Sequence, residues 1–592
     1  MRDRYGTIGL ITRLLTEYIP SYWKRYALSF VCVGTAAGCT ALFAYLISHA
    51  VNQTYLHRNF AAVIVFCVLT FVLVSIKGLA LYGQSLVLMR INNEITADNQ
   101  RRIFEKLLRE NLAYFSDRHS AEFVAQVTSA AGAGPNVLSL LVTAVGRDSL
   151  TVVGLVTVMF IQDPLVSLVA LVAMPVTLLL VRSVIRRIRA LTARQYAASV
   201  SIVESTQEMV RGLRTIKAFT LEDAIRRRVR DQVQENRRVS DEMARLSNRS
   251  TPLMESLGGV AVALLALYAG YRVIYMGAMF GEFVSFIAAF LLAYEPTKRL
   301  ARLNIALSSS LLGVRMFYQL VDSPDTEPED DDKPALAVTA GRIEFARVGF
   351  AYRDGEPVLR DLSFTAEAGR VTALVGPSGG GKSTALSLLL RLYDADTGRI
   401  TIHGQNIATV SRASLRRQIA YVGQDVFLFR GTIRDNIRFG KPGTSADDII
   451  AAAVAAHAHD FIMSFPDRYD TQVGEHGLQL STGQRQRVSI ARALLKDAAI
   501  ILLDEATAAL DSESERYVQD AIARLSEHRT TVVIAHRLST IMHAERILFI
   551  EHGTLVESGS HQEQLRKGGR YAAFYRLQFE RAPARPRMVS AV

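Results

Sequence analysis

The chain has 592 residues, a length at which a single hydrophobic core is unusual, so we expect two or more domains. Hydrophobic residues make up 49% of it, charged residues 21%, and the net charge at pH 7 is +12. The basic residues fall mostly between apolar runs and are not interleaved with aromatic residues, which argues against nucleic-acid binding. The three cysteines, Cys32, Cys39 and Cys67, lie inside apolar runs and indicate neither a disulfide framework nor a thiolate metal cluster.

The first half of the chain contains the apolar runs. Residues 5–22 are predicted to form an amphipathic helix at a membrane interface with Trp23 as its anchor, and no signal-peptide cleavage site follows them. A helix needs about 20 apolar residues to cross the hydrocarbon core. This length selects six candidate spans, at 26–50, 61–88, 137–161, 164–184, 253–275 and 279–300.

The segments between these spans alternate in charge. Residues 89–136 and 182–250 are long and rich in arginine, whereas the links after spans one, three and five are short and contain few basic residues. The positive-inside rule therefore places both termini and both long segments in the cytoplasm. Within them, 83–110 and 186–211 have a helix-forming composition and are predicted to extend the spans as cytoplasmic stalks.

The stretch from Asp322 to Pro334 marks a domain boundary, because its acids and prolines cannot bury enough apolar surface to fold alone. From Gly341 onward short apolar strands alternate with helices, which is typical of an α/β domain with a largely parallel sheet. We therefore predict a transmembrane domain at 1–321, an acidic, proline-containing linker at 322–340, a nucleotide-binding domain at 341–581 and a disordered tail at 582–592.

A phosphate loop of the pattern G-x-x-x-x-G-K-S follows the strand Val371–Val375 and precedes an apolar helix. Its glycines allow backbone N–H groups to wrap phosphates, and the helix N-terminus adds a favourable dipole. Lys382 is predicted to neutralise the β- and γ-phosphates of ATP, and Ser383 to supply an oxygen to Mg²⁺. The predicted nucleotide-binding residues of the loop are Gly376, Pro377, Ser378, Gly379, Gly380, Gly381, Lys382, Ser383 and Thr384.

Two further strands are predicted to end in polar residues at the same sheet edge. The apolar run Ile500–Leu503 leads into Asp504, which can hold Mg²⁺ through water, and Glu505, which can orient the attacking water. The strand Thr531–Ala535 delivers His536, which would contact the γ-phosphate. Together with the phosphate loop these residues predict ATP hydrolysis.

A further segment, Leu480, Ser481, Thr482, Gly483 and Gln484, resembles the LSGGQ signature of ATP-binding cassette (ABC) transporters. With the phosphate loop and ILLDEATAALD, it makes the chain similar over nearly its whole length to half-size exporters of the lipid A flippase or multidrug type. The resemblance implies an all-α membrane domain of six transmembrane helices, fused to an α/β cassette (a P-loop NTPase) in the cytoplasm. It also implies ATP-driven export or flipping of an amphipathic or lipidic substrate across the cytoplasmic (inner) membrane.

The resemblance assigns roles to single residues as well. Tyr352 matches the aromatic residue that stacks on adenine, and Gln424 matches the glutamine that binds Mg²⁺ and links it to the membrane domain. Asp511 matches the loop that communicates across the dimer. Ser481 and Gly483 would face the γ-phosphate bound by the opposite subunit.

The family's signature and phosphate loop face apart within one cassette, so the resemblance implies that each ATP is sandwiched between two subunits. Because Glu505 and His536 are both present, a homodimer is the first choice, with a related half-transporter as the alternative partner. Thr482 stands where the family has glycine, and its bulk and restricted backbone are expected to slow basal turnover. An ATP-gated channel or sensor would share this architecture, but Glu505 argues against it.

Charged side chains inside membrane spans are costly and usually face a cavity or a partner. Lys77, Arg147 and Lys298 resemble the basic residues of lipid A exporters that meet the substrate's phosphates, which favours an anionic lipid over hydrophobic drugs or peptides. Acids such as Asp148 and Glu295 could instead neutralise these cations. Arg147 and Asp148 are predicted to be poor partners for each other, because adjacent residues do not share a helix face.

Overall fold

The computed structural model describes residues 5–579 except 56–57, 117–122, 125, 165–166, 169–190, 192–193, 196, 249, 277–278, 331, 339–340, 354, 505–511 and 536. The chain forms two compact units. The first contains the residues up to Glu327 without 111–113, and the second contains 111–113 and the residues from Pro328 onward. The predicted domain limits, with the linker at 322–340, stay predictions.

The first unit is mainly helical. Its elements are α1 (Thr7–Tyr55), α2 (Phe60–Leu108), α3 (Leu112–Ser116, whose first two residues belong to the second unit), α4 (Val127–Gln162), a helical run over 197–211, α5 (Leu213–Ala218), α6 (Glu222–Asn248), α7 (Ser250–Met276) and α8 (Phe280–Val321). Within the described residues, α1, α2 and α4 are long and apolar enough to cross a membrane.

The predicted interfacial helix and first span form one element in the structure. They are continuous in α1, which is kinked at Tyr22, two residues after Pro20. Leu10, Leu14 and Tyr18 recur every four residues and are buried in a cluster with residues of α2, α4 and α8. The apolar face of this segment therefore packs against protein. The amphipathic pattern shows only that one face is apolar, and it does not show whether protein or lipid covers that face.

The other helices extend the predicted spans. α2 runs from the second span through the predicted stalk at 83–110 as far as Leu108. α4 begins at Val127, before the third predicted span. α7 contains the fifth predicted span, and α8 begins at Phe280, one residue after the predicted start of the sixth. Most of the fourth span at 164–184, the start of the second stalk and the tail at 582–592 lie outside the described residues.

The second unit contains two sheets. Its strands are β1 (Ile343–Ala351), β2 (Pro357–Ala366), β3 (Val371–Val375), β4 (Thr397–Ile402), β5 (Gln405–Asn406), β6 (Ile419–Val422), β7 (Ile500–Asp504), β8 (Thr530–Ile534), β9 (Arg546–Glu551) and β10 (Thr554–Gly559). One sheet has the antiparallel order β2-β1-β4-β5. The other has the order β10-β9-β3-β8-β7-β6 and is parallel except for the β9–β10 pair.

The described part of the second unit also contains helices. They are α9 (Lys382–Leu389), α10 (Arg412–Arg417), α11 (Ile433–Arg438), α12 (Ala446–Ala455), α13 (His459–Ser464), α14 (Thr482–Lys496), α15 (Ser512–Ser526), α16 (Leu538–Met542), α17 (His561–Lys567) and α18 (Arg570–Phe579). Strands β3, β7 and β8 are almost completely buried between two apolar clusters, one on each face, which explains their uninterrupted apolar sequences.

Arg391, just after α9, is a buried cation that joins three segments of the second unit. Its side chain is only 3% exposed, and it donates to the carbonyl oxygens of Ile407 and Val410 at 2.9 Å each. The carboxylates of Asp330 and Asp394 lie 3.5 and 3.2 Å from its guanidinium nitrogens.

We expect Arg391→Ala to destabilise the second unit by about 3 kcal/mol, because it strands buried acceptors that the guanidinium satisfies. For a unit of this size that corresponds to a fall of roughly 6–12 °C in the thermal midpoint. Thermal unfolding of the purified full chain without ATP measures it, with the exposed Arg399→Ala as the matched control. Equal midpoints for the two variants would contradict this role of Arg391.

Candidate functional site

The phosphate loop connects β3 to α9 and has the geometry that its glycines allow. Gly376 has φ +148° and Gly381 has φ +94°, conformations that residues with a side chain rarely adopt. A Cβ at Gly376 would collide with the carbonyl oxygen of Ile550, and one at Gly381 with the side chain of Leu359. The loop therefore requires glycine at both ends and leaves the exposed Ser383 in the first turn of α9.

Lys382 is folded back onto this loop. Its side chain is buried, and its Nζ donates to the carbonyl oxygens of Gly376 and Pro377 at 2.9 and 2.8 Å. Thr384 is also buried, one residue beyond Ser383. The ammonium group is thus held against the start of the loop by two backbone carbonyl oxygens.

Tyr352, the residue predicted to stack on adenine, is held at its edges by other aromatic rings. Phe350 and Tyr393 both contact it edge-on, with ring centroids 4.9 and 5.1 Å away and interplanar angles of 86°. Its hydroxyl lies 3.1 Å from that of Thr384. Because these contacts leave Tyr352 50% exposed, it can stack on an adenine while remaining linked to α9.

The carboxyl ends of the neighbouring strands meet the phosphate loop at one edge of the sheet. Asp504 ends β7 and lines the same cavity as Ser383, an arrangement of oxygen ligands that suits Mg²⁺. Burial, aided by the charges of Asp504 and Asp425, raises the pKa of the nearby Tyr421 phenol. Gln424 is exposed two residues after β6.

Three predicted residues, Glu505, Asp511 and His536, lie outside the described part of the chain. The two strands that lead to Glu505 and His536 are described, and both end at the edge that carries the phosphate loop.

The predicted signature forms the N-terminus of α14. Ser481 is the N-cap: its Oγ accepts from the backbone N–H of Gln484 at 3.2 Å, while its own N–H donates to Gln484 Oε1 at 2.9 Å. Leu480 and Gly483 are buried. Thr482 is exposed and is the first residue of the helix, and its hydroxyl accepts from Arg485 at 3.1 Å. Its helical backbone does not need glycine, so the expected backbone restriction does not apply.

The predicted cations of the membrane unit are not equivalent. Asp148, whose side chain is 2% exposed, accepts two hydrogen bonds of 2.9 Å from Arg299 and one of 3.2 Å from Arg147. The prediction that Arg147 and Asp148 are poor partners was therefore wrong. Adjacent residues point to different sides of the helix, but the long Arg147 side chain reaches the carboxylate of Asp148, which Arg299 of α8 also contacts.

The other two predicted cations lie elsewhere. Lys298 is 3.6 Å from Glu295 and faces the ring of Tyr294, as expected if an acid neutralises it. Lys77, in α2, has no hydrogen bond or ion pair with a described residue. Arg299 and Tyr393 were missed by the sequence reasoning. Arg299 directly follows Lys298 near the end of the sixth predicted span, and this position could have indicated it. No sequence feature indicated Tyr393.

Both units of the chain match known protein families. Residues 359–508 match the family described as ABC transporter, and residues 26–296 match the ABC transporter transmembrane region. The chain is 43% identical to an uncharacterized ABC transporter ATP-binding protein of Sinorhizobium fredii, over 96% of this chain and 97% of that protein. It is 37% identical to an ATP-dependent lipid A-core flippase of Syntrophus aciditrophicus, over 97% of this chain and 95% of the relative.

Solved structures include a similar protein, a bacterial Atm1-family ABC exporter with ATP bound. It superposes with a TM-score of 0.85 at 27% sequence identity and covers 94% of this chain and 100% of its own. The relatives thus share the order of a helical membrane unit followed by an α/β nucleotide-binding unit.

We expect Thr482→Gly to raise basal ATP turnover about two- to fivefold, because it removes a side chain from the helix N-terminus that would approach a phosphate. Thr482→Ser, which keeps the hydroxyl for Arg485 but lacks the methyl group, should give an intermediate rate. Steady-state phosphate release from the purified protein measures both. Unchanged or lower turnover in the glycine variant would refute a braking role.

Proposed function

The chain belongs to the family of ABC transporters, and we propose that it uses ATP to export or flip an amphipathic anionic lipid across the cytoplasmic membrane as a homodimer. The observation that carries the proposal is the joining, in one chain, of a phosphate loop in its strand–loop–helix context to a helical unit with membrane-spanning helices. ATP hydrolysis is a property of the family. The anionic lipid substrate, the homodimer and the location in the cytoplasmic membrane are what we propose.

The proposed division of roles follows the chemistry of the side chains. Lys382 and the loop N–H groups hold the phosphates of ATP, and Tyr352 holds the adenine. Ser383, Gln424 and Asp504 would hold Mg²⁺, which would neutralise charge on the phosphates. Glu505 orients the attacking water and His536 contacts the γ-phosphate, with the signature Ser481 and Gly483 supplied by the second chain.

ATP then shifts the equilibrium between open and closed dimers, because it binds the closed state through two chains and the open state through one. Asp511 is proposed to communicate across that interface. A mixed pair with a related half-transporter would use the same chemistry, but the set of catalytic residues in this chain permits two active sites in a homodimer.

Glu505→Gln should bind ATP and remain closed while turnover falls by about 100-fold or more, because the amide cannot orient and deprotonate the attacking water. ATP retention and phosphate release from the reconstituted protein test this expectation. Glu513→Gln is the matched control, since Glu513 is an exposed acid in the first turn of α15. Normal turnover in Glu505→Gln would remove Glu505 from the mechanism.

An anionic lipid is the proposed substrate because the membrane unit carries an excess of cations. Arg147 and Arg299 share the single carboxylate of Asp148, so the cluster carries a net charge of +1. The side chains of Arg147 and Arg299 are partly exposed, whereas Asp148 is enclosed. The flippases among the relatives are named for lipid A-core, and lipid A carries phosphates that two arginines can bind bidentately.

Proteoliposomes provide the test of the substrate. We expect diphosphoryl lipid A to stimulate ATP turnover, and Arg147→Gln with Arg299→Gln to reduce that stimulation about tenfold or more, because charge-assisted hydrogen bonds to phosphate are lost. Arg237→Gln, on the 81%-exposed side chain of α6, is the control. Equal stimulation by an uncharged hydrophobic drug, unaffected by the arginine changes, would favour a multidrug exporter instead.

A further inference from the structure

A cavity of about 420 Å³ lies behind the phosphate loop in the second unit. It is open to solvent on one side and is lined by residues in or next to α9, α10, β6, α11, α14 and β7. Most of its wall is apolar and comes from Leu386, Leu390, Leu392, Ile419 and Phe439. An apolar wall beside placed polar and charged groups is the combination found in small-molecule sites.

Three cations also line the cavity: Arg416 of α10 and, four residues apart on one face of α14, Arg492 and Lys496. Lys496 Nζ donates to the carbonyl oxygen of Arg416 at 2.7 Å. Arg492 donates to the backbone and side-chain oxygens of Asn436 and to the carbonyl oxygen of Phe427. Among the described residues, Arg492 and Lys496 have no carboxylate within ion-pair distance.

Helix capping explains part of this arrangement. Arg416 donates to carbonyl oxygens at the end of α9, Lys496 to one at the end of α10 and Arg492 to one in α11. A helix C-terminus carries about −0.5 charge, so three termini offset only about half of three positive charges. Burial lowers the pKa of both Lys496 and Arg492, as expected for cations with incomplete compensation.

We propose that this cavity binds a small amphipathic anion, with its charged group at Lys496 and Arg492 and its apolar part against the leucines and Phe439. The cavity also reaches Ser383 and Asp504, the proposed Mg²⁺ ligands, but not Tyr352. The charged group of the anion is assigned to Lys496 and Arg492, outside the phosphate loop, so a bound anion is expected to slow hydrolysis without displacing ATP. The site is distinct from the proposed lipid pathway, because all of its residues belong to the second unit.

Octanoate, below its micellar concentration, is the probe, with octan-1-ol as the uncharged control and the full chain in lipid nanodiscs. Ligand-observed NMR measures binding in the absence of ATP, and steady-state kinetics measures inhibition at several ATP concentrations. The first variant is Lys496→Met, with Lys496→Arg as the charge-preserving form and the exposed Lys567→Met as the matched control. The second, Ser387→Leu, fills the cavity from α9 without touching a cation.

We expect octanoate, but not octan-1-ol, to inhibit noncompetitively with ATP and to bind about tenfold more weakly to Lys496→Met and to Ser387→Leu, while Lys496→Arg and Lys567→Met behave as wild type. Equal effects of the acid and the alcohol, competition with ATP, or wild-type binding by both test variants would overturn the proposal. The NMR measurement does not depend on turnover, so a chain without ATPase activity would contradict the proposed function and leave this site to be judged by binding alone.

Discussion

The parallel register of β3, β7 and β8 determines where the phosphate loop and Asp504 lie at the nucleotide site. Leu374 and Asp504 both pair with Ile534, so the strands end together and deliver the phosphate loop and the metal-binding carboxylate to one edge. The strands are buried on both faces, which makes each pairing error costly: a shift by one residue would turn Asp504 to the opposite face. The rigid sheet therefore holds groups that are distant in sequence within reach of one triphosphate.

In the membrane unit, the corresponding constraint is the cost of burying a charged side chain. Asp148 cannot be left unpaired in an apolar environment, and it recruits arginines from both α4 and α8. Removing either arginine leaves a partly compensated acid, whereas binding an external anion would require the arginines to turn away from it. In the proposed transport, the substrate must bind the two arginines more favourably than Asp148 does. This requirement favours ligands with two closely spaced negative charges over singly charged lipids.

The sequence predicted the features that depend on a local residue pattern. It did not predict those that depend on contacts between side chains of different segments. The fold class and the phosphate loop follow from apolar length, strand–helix alternation and glycine spacing. The continuity of α1 across Tyr22 could not be predicted, since Leu10, Leu14 and Tyr18 show only that one face is apolar and not what covers it. The Arg147–Asp148 contact was not predicted because the helix-face rule compares the directions of Cβ atoms and ignores the reach of a long arginine side chain. Glu505, Asp511 and His536 remain predictions.

Lys382 connects the geometry of the loop to the need for a second chain. Its ammonium group already donates to the carbonyl oxygens of Gly376 and Pro377, so an arriving phosphate replaces existing hydrogen bonds and does not meet an unsolvated charge. Hydrogen bonds to charged groups contribute about 1.5–3 kcal/mol each, and this exchange cancels much of that gain. In the proposed dimer, the remaining affinity comes from the second signature, whose Ser481 is already fixed by the capping box of α14. A ligand shifts the equilibrium between open and closed dimers only by the difference between its affinities for the two states. Weak binding to the phosphate loop alone makes this difference larger, so ATP binding drives closure more strongly.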